Sequence, residues 1–580
     1  MKPFKQGSNN NKKQKQTRRS PLRRNSSSKR VQKAKNHGER KYVSLGTDDF
    51  EKIIAENVDF IDKTMFIKEW MEKRDEVSVF LRPRRFGKST NLSMLGSFFS
   101  FGAEAKDFSE FLIGQETEFM EEHCGKYHVV MLNMKGIDGN SWEQMISRIW
   151  SCLQTTLRDH EENLNELDVK FIGVDCYNAS IQPSETIAVD FLKRLTSCLY
   201  KKKKKRVIVL VDEYDTPLNH AFQKGFYDRA SEFFGSFYSN GLKSNFALER
   251  ACLMGIVEIR GNKMLSGLNN MVLYSSESER YSQYFGFTKE EITTFLKDDT
   301  EQIQDIMEWY NGYYMGSNKM INPWSCLNYV VSKKLKSYWV QTANIDSICT
   351  MINPVLSIEL IKILVQLYEG KDYEIGELST VVDYQSPFDI DLILCFLVHA
   401  GYLTYNKKKV SMPNHEIKSE WINCSFGVTN SGIIDSIFQR DIMNAFKAES
   451  LDLESLQRLM IEKLLFCSYF KTTNVNLYHM FFYGIFAAVC DPNATSNREA
   501  GRGGHDIAIA FGEIKRLIVF EFKHSKAIDD LEKDAKAGLN QILENKYFRN
   551  EQYDHWQCAA IGVSFFSKEM SQFECETFEI

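Results

Sequence analysis

Three acids within four positions end an apolar run in "VIVLVDEYDTPL", residues 207–218. A fully buried parallel strand reads as a continuous β-branched run, and open α/β sheets receive ligands beyond the carboxyl ends of their strands. Asp212, Glu213 and Asp215 thus stand where acids meet a cation or polarise a water, unless the strand simply runs into an acidic solvent turn. A phosphate site elsewhere in the chain would decide between the two. "EVSVFLRPRRFGKSTNLSMLGSFF" (76–99) supplies one: a short strand, a loop holding Gly87, Lys88, Ser89 and Thr90, then an amphipathic helix. Gly87 lets the backbone approach a phosphate, Lys88 reaches the β- and γ-phosphates, and Ser89 can ligate Mg²⁺, while helix amides point at the anion. The first glycine of the G-x-x-x-x-G-K-[ST] pattern is absent, and Arg82 stands in its place. With a nucleotide on this loop, Asp212 suits Mg²⁺ held through water and Glu213 suits orientation of the attacking water.

A second group of chemistry-bearing residues lies in "NREAGRGGHDIAIAFGEIKRLIVFEFKHSKA" (497–527). Alternation predicts two strands, 506–511 and 516–523, around a turn at "GEIK". If Phe511 faces Arg516, Asp506 falls opposite Glu521, with Cβ atoms about 5 Å apart on one face. A period of two adds Lys523 to that face. Opposed like charges are destabilising, which calls for a cation, and Mg²⁺ takes one or two carboxylates while keeping several waters. Lys523 can then orient a water for attack on phosphorus. The bland alternative is an ordinary hairpin carrying charged residues.

Beyond these sites, "FIDKTMFIKEW", "FLRPRRFGKSTNLSML", "VLVDEYDTPL", "GNKMLSGLNN", "YFGFTKEEI", "WYNGYYMG" and "NPWSCLNYV" occur in order through the chain. Together they resemble the AAA-ATPase-like family, usually joined to a carboxyl-terminal PD-(D/E)XK nuclease-like domain. The resemblance covers about residues 42–580. It implies ATP binding by Gly87, Lys88, Ser89 and Thr90, with Asp212 and Glu213 completing a magnesium and water site. In that family Arg-Pro-Arg-Arg-Phe-Gly-Lys-Ser is the normal phosphate loop, which places Arg82 in the nucleotide site. Arg84 and Arg85 would add positive charge beside the phosphates, a structural role being the alternative. Arg260, in a sensor-like strand, would report the γ-phosphate. Asp506, Glu521 and Lys523 match the D…E-x-K nuclease pattern, Glu499 would complete the metal shell, and Gln541 would face the site from the next helix. One departure is visible: Gly504-His505-Asp506 stands where Gly-Arg-x-Asp is expected, with Arg502 two positions early.

The elements that must position these residues imply an α/β protein in three modules. Residues 42–344 read as a P-loop NTPase domain, 345–428 as a winged-helix-like connector and 429–580 as a restriction-endonuclease-like α/β domain. In the connector, "LILCFLVHAGYLTYNKKKVSMPNHEI" reads as a buried helix stopped by Gly401, then a hairpin turned at 406–409 with Lys407, Lys408 and Lys409 at its tip. The aromatic stretch 309–330 suits core and lid packing, with Trp309, Tyr310 and Tyr313 at helical spacing and Pro323 at a helix start.

Residues 1–41 carry fifteen Lys/Arg against the single acid Glu39; the remaining chain has 58 basic and 76 acidic residues. The arm has too few apolar residues to offset the entropy of ordering, so it reads as disordered, basic and suited to phosphate contact or nuclear addressing. Thirteen cysteines without a C-x-x-C pair point to reduced thiols. The most apolar stretch, 480–490, is about half of the ~20 residues a membrane span needs. The expectation is therefore an intracellular protein of nucleus or cytoplasm with ATP and Mg²⁺ as cofactors. Nucleic acid is the expected partner, DNA favoured over RNA, no membrane is expected, and room is left for a homo-oligomer. Function reads as an ATPase coupled to a Mg²⁺-dependent nuclease, or as an ATP-dependent switch or binding module with an inactive nuclease fold.

Overall fold

The computed structural model describes residues 45–174, 184–259, 269–297, 299–339, 360, 363–364, 366–367, 370–382, 389–419, 436–466, 475–490, 493–496, 499–500, 503–566 and 571–580. The basic arm, Arg260 and Arg502 lie outside them. In the first module, β1 (Val77–Leu81), β2 (Val129–Asn133), β3 (Val207–Asp212), β4 (Leu248–Gly255) and β6 (Met271–Tyr274) form one parallel sheet of order β2-β3-β4-β1-β6. Every residue of β1 and β3 is buried, as a β-branched run between helical layers requires. Helix α1 (Lys88–Phe99) follows β1, and α2 (Glu185–Lys203) leads into β3. Because β4 separates β1 from β3, the phosphate loop and the acidic strand end sit on either side of one intervening strand.

After β4, the two-residue strand β5 (Glu258–Ile259) pairs in parallel with β10 (Val381–Val382). Helix α3 (Thr300–Trp309) precedes the antiparallel hairpin of β7 (Asn311–Met315) and β8 (Asn318–Ile321). Helix α4 (Pro323–Ser332) then starts with Pro323 in its first turn and Asn322 as cap. Tyr313 thus lies on a strand, not on the helix expected from its spacing, because Asn311 and Gly312 end the helical run. Gly312 has φ of +141° and backs onto the Pro413 carbonyl at a distance no Cβ tolerates. Tyr310 and Tyr313 are buried, in keeping with core packing.

Helix α5 (Ile390–Ala400) ends at Gly401, whose φ of +96° is the left-handed stop read from the sequence. The hairpin follows as β11 (Thr404–Asn406) and β12 (Lys409–Ser411), with Lys407 and Lys408 both at positive φ; β9 (Tyr373–Glu374) adds a third strand. Ile393, Leu394, Val410 and Ile417 share one hydrophobic cluster with β1–β4, so the described residues of this segment pack on the core of the first module.

The carboxyl-terminal module has its own cluster, spanning Phe438 to Phe573. Its sheet runs β13-β16-β17-β18-β19, formed by β13 (Ala494–Ser496), β16 (Ile507–Phe511), β17 (Arg516–His524), β18 (Gln557–Phe565) and β19 (Ser571–Glu579). A small ladder of β14 (Glu499–Ala500) and β15 (Gly503–Gly504) stands beside it. The β16–β17 register is the expected one, Phe511 facing Arg516 and Ile507 facing Phe520. Helix α6 (Val475–Cys490) contains the apolar stretch 480–490, and several of its residues join the core cluster. Among the described residues no helix is long and apolar enough to cross a membrane.

Strands β17 and β18 are parallel, so the chain must cross over between them, and helix α7 (Leu531–Asn545) does so. The crossing is tight. A Cβ on Gly562 of β18 would lie 2.0 Å from the Ala535 carbonyl oxygen and 2.4 Å from the Leu539 nitrogen. Gly562→Ala is therefore expected to push α7 off the sheet and cost at least about 2 kcal/mol, as overpacking does. A lowered midpoint of the carboxyl-terminal module in a chemical melt checks it.

Candidate functional site

The phosphate loop is shaped by its backbone before any side chain is considered. Gly87 caps α1 with φ of +82°, a conformation that favours glycine, and nothing lies within 4 Å of where a Cβ would point. Lys88, buried at the first helical position, donates from Nζ to the carbonyls of Arg82 (3.0 Å) and Pro83 (2.9 Å). Burial pulls its ammonium below the ordinary lysine range, while Glu213, Asp212 and Asp215 pull the other way. The hydroxyl of the next residue, Ser89, is close enough to the Asp212 carboxylate to favour its charged form. The two halves of the site thus face each other across β4.

Asp212 is buried, and loss of solvent raises its carboxyl above the usual range despite the Ser89 hydroxyl. Its Oδ1 accepts the Glu213 amide at 3.1 Å. Glu213 has φ of +51°, and its Oε2 accepts the Thr216 hydroxyl at 3.1 Å. Asp215 has a different task. Its Oδ2 accepts the amides of Ile256 (2.9 Å) and Val257 (3.1 Å), tying the acidic turn to the end of β4.

The arginines separate. The Arg82 guanidinium faces inward: Nη1 donates to the carbonyls of Leu81 and Tyr274, and the group lies 4.8 Å from the centre of the Phe285 ring. Burial lowers it to about 9. The placement of Arg82 in the nucleotide site is therefore corrected for its side chain; Arg82 anchors the loop from within and offers only its carbonyl, to Lys88. Arg84 is half-buried, and its carbonyl accepts from Trp339 Nε1 at 3.1 Å. Arg85, exposed at φ of +67°, lays its guanidinium 4.4 Å from the centre of the Trp324 ring and is attracted by Glu213.

A feature the sequence reading missed is a cavity of 110 Å³ beside Gly87 and Thr90, walled by Val58, Phe60, Ile61, Phe287, Pro323 and Leu327. Its apolar walls suit the flat face of a base, next to a loop suited to phosphates. The segments that build it are far apart in sequence, and no local pattern announces it.

In the carboxyl-terminal module, extending the β16–β17 register by one step sets Asp506 opposite Glu521. Asp506 Oδ2 accepts the Phe522 amide at 2.7 Å. Lys523 Nζ lies 3.1 Å from Glu521 Oε1 and 2.6 Å from Gln541 Oε1. Gln541, on α7, donates to Glu521 Oε1 and to the Tyr547 hydroxyl. Asp506, Glu521, Lys523 and Gln541, all four named from the sequence, thus come together. Glu499 is placed only by its backbone, opposite Gly504. His479 of α6, missed in the sequence as one more residue of an apolar helix, brings Nδ1 to 3.8 Å from Asp506 Oδ1.

Glu521 Oε2 is buried and accepts no hydrogen bond. Burial, reinforced by the neighbouring Asp506 charge, pushes the Glu521 carboxyl from 4.5 up to about 7. An acceptor left without a donor beside a second carboxylate is what a hard divalent cation satisfies, so the residues fit Mg²⁺. Among the described residues no cluster of three His, Cys, Asp or Glu side chains is arranged as a metal site; two carboxylates are the set available.

Residues 44–264 match the family model described as Predicted AAA-ATPase, and residues 474–574 match the PD-(D/E)XK nuclease superfamily. The chain joins an AAA-ATPase-like domain to a PD-(D/E)XK nuclease-family domain. Over 395 residues it is 23% identical to an uncharacterized protein in the vnfD 5′ region of Azotobacter chroococcum mcd 1, covering 66% of this chain and 69% of that protein. Among solved structures, it is similar to the Walker-type ATPase PABY2304 of Pyrococcus abyssi, at 14% identity and a TM-score of 0.35, over 66% of this chain and 98% of that one. The ORC2 protein of Aeropyrum pernix follows at 10% identity and a TM-score of 0.23, over 67% and 97%.

In the nuclease-family domain the raised Glu521 carboxyl has a measurable sign. A carboxyl raised in the folded state favours folding below its unfolded value, and that contribution is lost as pH climbs through the folded one. In EDTA, wild type is therefore expected to lose stability relative to Glu521→Gln between about pH 4.5 and 7. Melting midpoints of both proteins at pH 5 and pH 8 check this. Asp506→Ala is not expected to share the relative gain, since it also strips the Phe522 amide of its acceptor.

Proposed function

We propose that ATP bound at Gly87, Lys88, Ser89 and Thr90 is hydrolysed with Asp212 and Glu213, and that this gates phosphodiester cleavage of nucleic acid by Asp506, Glu521 and Lys523. The observation that carries the cleavage reading is Glu521 Oε2, buried without a donor, beside Asp506 and Lys523. Asp506 and Glu521 would hold Mg²⁺, with Glu499 as a candidate further ligand, and the ion would supply positive charge to the oxygens around phosphorus. Lys523, steadied by Gln541, would present its ammonium protons to a phosphate oxygen or to the attacking water. In the ATPase-like domain, Lys88 would exchange its two loop carbonyls for β- and γ-phosphate oxygens, and Ser89 with Asp212 would hold Mg²⁺. Arg84 and Arg85 flank that position, and Arg260 belongs to the segment after β4 as a candidate reporter of the γ-phosphate.

Lys88→Ala removes the point charge aimed at the phosphates, so ATP affinity by calorimetry should fall at least tenfold, about 1.4 kcal/mol. Glu213→Gln should retain binding and stop turnover. ATP bound by Lys88→Ala as tightly as by wild type would rule out the phosphate-loop assignment.

For cleavage, wild type is incubated with plasmid, single-stranded DNA and RNA, with and without ATP and Mg²⁺. Asp506→Ala, Glu521→Ala and Lys523→Ala should each lose activity. Raised Mg²⁺ or Mn²⁺ should partly restore the carboxylate variants and leave Lys523→Ala inactive, because its metal ligands are intact. Wild type that binds no divalent ion at millimolar concentration and cuts nothing with ATP would instead make this domain a binding module under an ATP-dependent switch.

A further inference from the structure

The carboxyl-terminal end of α2 carries Lys201, Lys202, Lys203, Lys204, Lys205 and Arg206, six consecutive cations on a body that is otherwise acidic. All but Lys205 are exposed. A helix dipole accounts for cations in the last turn. It does not account for Lys204, Lys205 and Arg206 beyond that turn, nor for what surrounds them. Phe101, Phe171 and Phe246 are 40%, 53% and 60% exposed, and they are the exposed phenylalanines among the described residues. All three gather at this helix. Lys203 Nζ lies 5.6 Å from the Phe101 ring centre, Lys201 Nζ 5.6 Å from that of Phe171, and Phe246 packs edge-on to Tyr200 at 5.6 Å. Asp168 engages Lys202 at 3.3 Å, and Glu249 and Glu122 lie near Tyr127, beside Lys205.

The place in the fold is as informative as the composition. Lys205 and Arg206 lead into β3, Phe246 precedes β4, and Phe101 donates its amide to Tyr127, just before β2. The cluster therefore sits at the amino ends of the parallel strands. Nucleotide chemistry occupies the carboxyl ends, roughly 17–20 Å away along a strand of this length. A row of cations with solvent-facing rings matches a polyanion with exposed flat bases. A duplex hides its base faces, and the rings would have nothing to stack on.

We propose that this end of the sheet docks single-stranded nucleic acid, the lysines contacting phosphates and Phe101, Phe171 and Phe246 stacking on bases. The docking surface is separate from both candidate reaction sites, and its test runs without cleavage. Full-length wild type and variants, all retaining residues 1–41, are titrated in EDTA against fluorescent oligothymidylate, oligouridylate and a duplex between 50 and 200 mM salt. Each lost single-strand phosphate contact lowers the log–log salt slope by about 0.7, so Lys201→Gln/Lys203→Gln/Lys204→Gln should reduce it by about 2. Phe101→Ala/Phe246→Ala should weaken single-strand binding about tenfold with the slope unchanged, and should leave duplex binding alone. Unaltered melting midpoints and ATP affinity establish that the variants are folded. Oligonucleotide affinity and slope unmoved by both sets of variants would overturn the proposal. So would phenylalanine variants that bind single strands as wild type does, or lysine variants that lose only binding to phosphatidylserine vesicles.

Discussion

The Lys88 ammonium donates to the carbonyls of Arg82 and Pro83 from a buried position, and the loop between β1 and α1 is arranged around that pair of bonds. A buried cation is costly unless its protons are taken up. The Arg82 carbonyl is available because the Arg82 side chain is anchored on the opposite side, to Leu81 and Tyr274. Where the common phosphate-loop pattern uses glycine for flexibility, this chain uses a buried guanidinium for fixity. Trp339 holds the Arg84 carbonyl, and Trp339 is itself seated by Glu416, whose Oε1 accepts the amides of Tyr338 and Trp339 at 2.7 Å. The segment beyond the hairpin thereby reaches the loop through two hydrogen-bonded links.

The carboxyl-terminal site rests on the same cost with the opposite sign. Glu521 is buried with one oxygen shared by Lys523 and Gln541 and the other without a donor. Asp506 cannot swing away to relieve the repulsion, because its Oδ2 holds the Phe522 amide. The strain is fixed in place by backbone bonds. It is removable only by a proton or a cation.

What was legible in the sequence was whatever has a short period. Alternation fixed the face shared by Asp506, Glu521 and Lys523, and the buried run ahead of Asp212 marked its strand end. The left-handed stop at Gly401 and the lysine hairpin were readable for the same reason. What stayed hidden depends on contacts between distant segments. The family resemblance puts Arg82 in the nucleotide site, and only the Tyr274 carbonyl and Phe285 ring, on β6 and beyond it, explain why its side chain turns inward. The apolar cavity, His479 beside Asp506 and the role of Asp215 are of this kind. Tyr313 went to a strand because Gly312 must pass the Pro413 carbonyl, a contact no local spacing encodes.

The parallel pairing of β17 with β18 sets an order of assembly. The β16–β17 hairpin joins neighbours in sequence, so it can bring Asp506 and Glu521 opposite each other early, when water still screens both charges. Gln541 arrives only with the crossover helix, and that helix seats only when Gly562 of β18 is beneath it. A chain leaving the ribosome therefore carries its acidic pair before it carries the enclosure that desolvates the pair. A partly made chain thus holds the opposed carboxylates without the surroundings that bury Glu521.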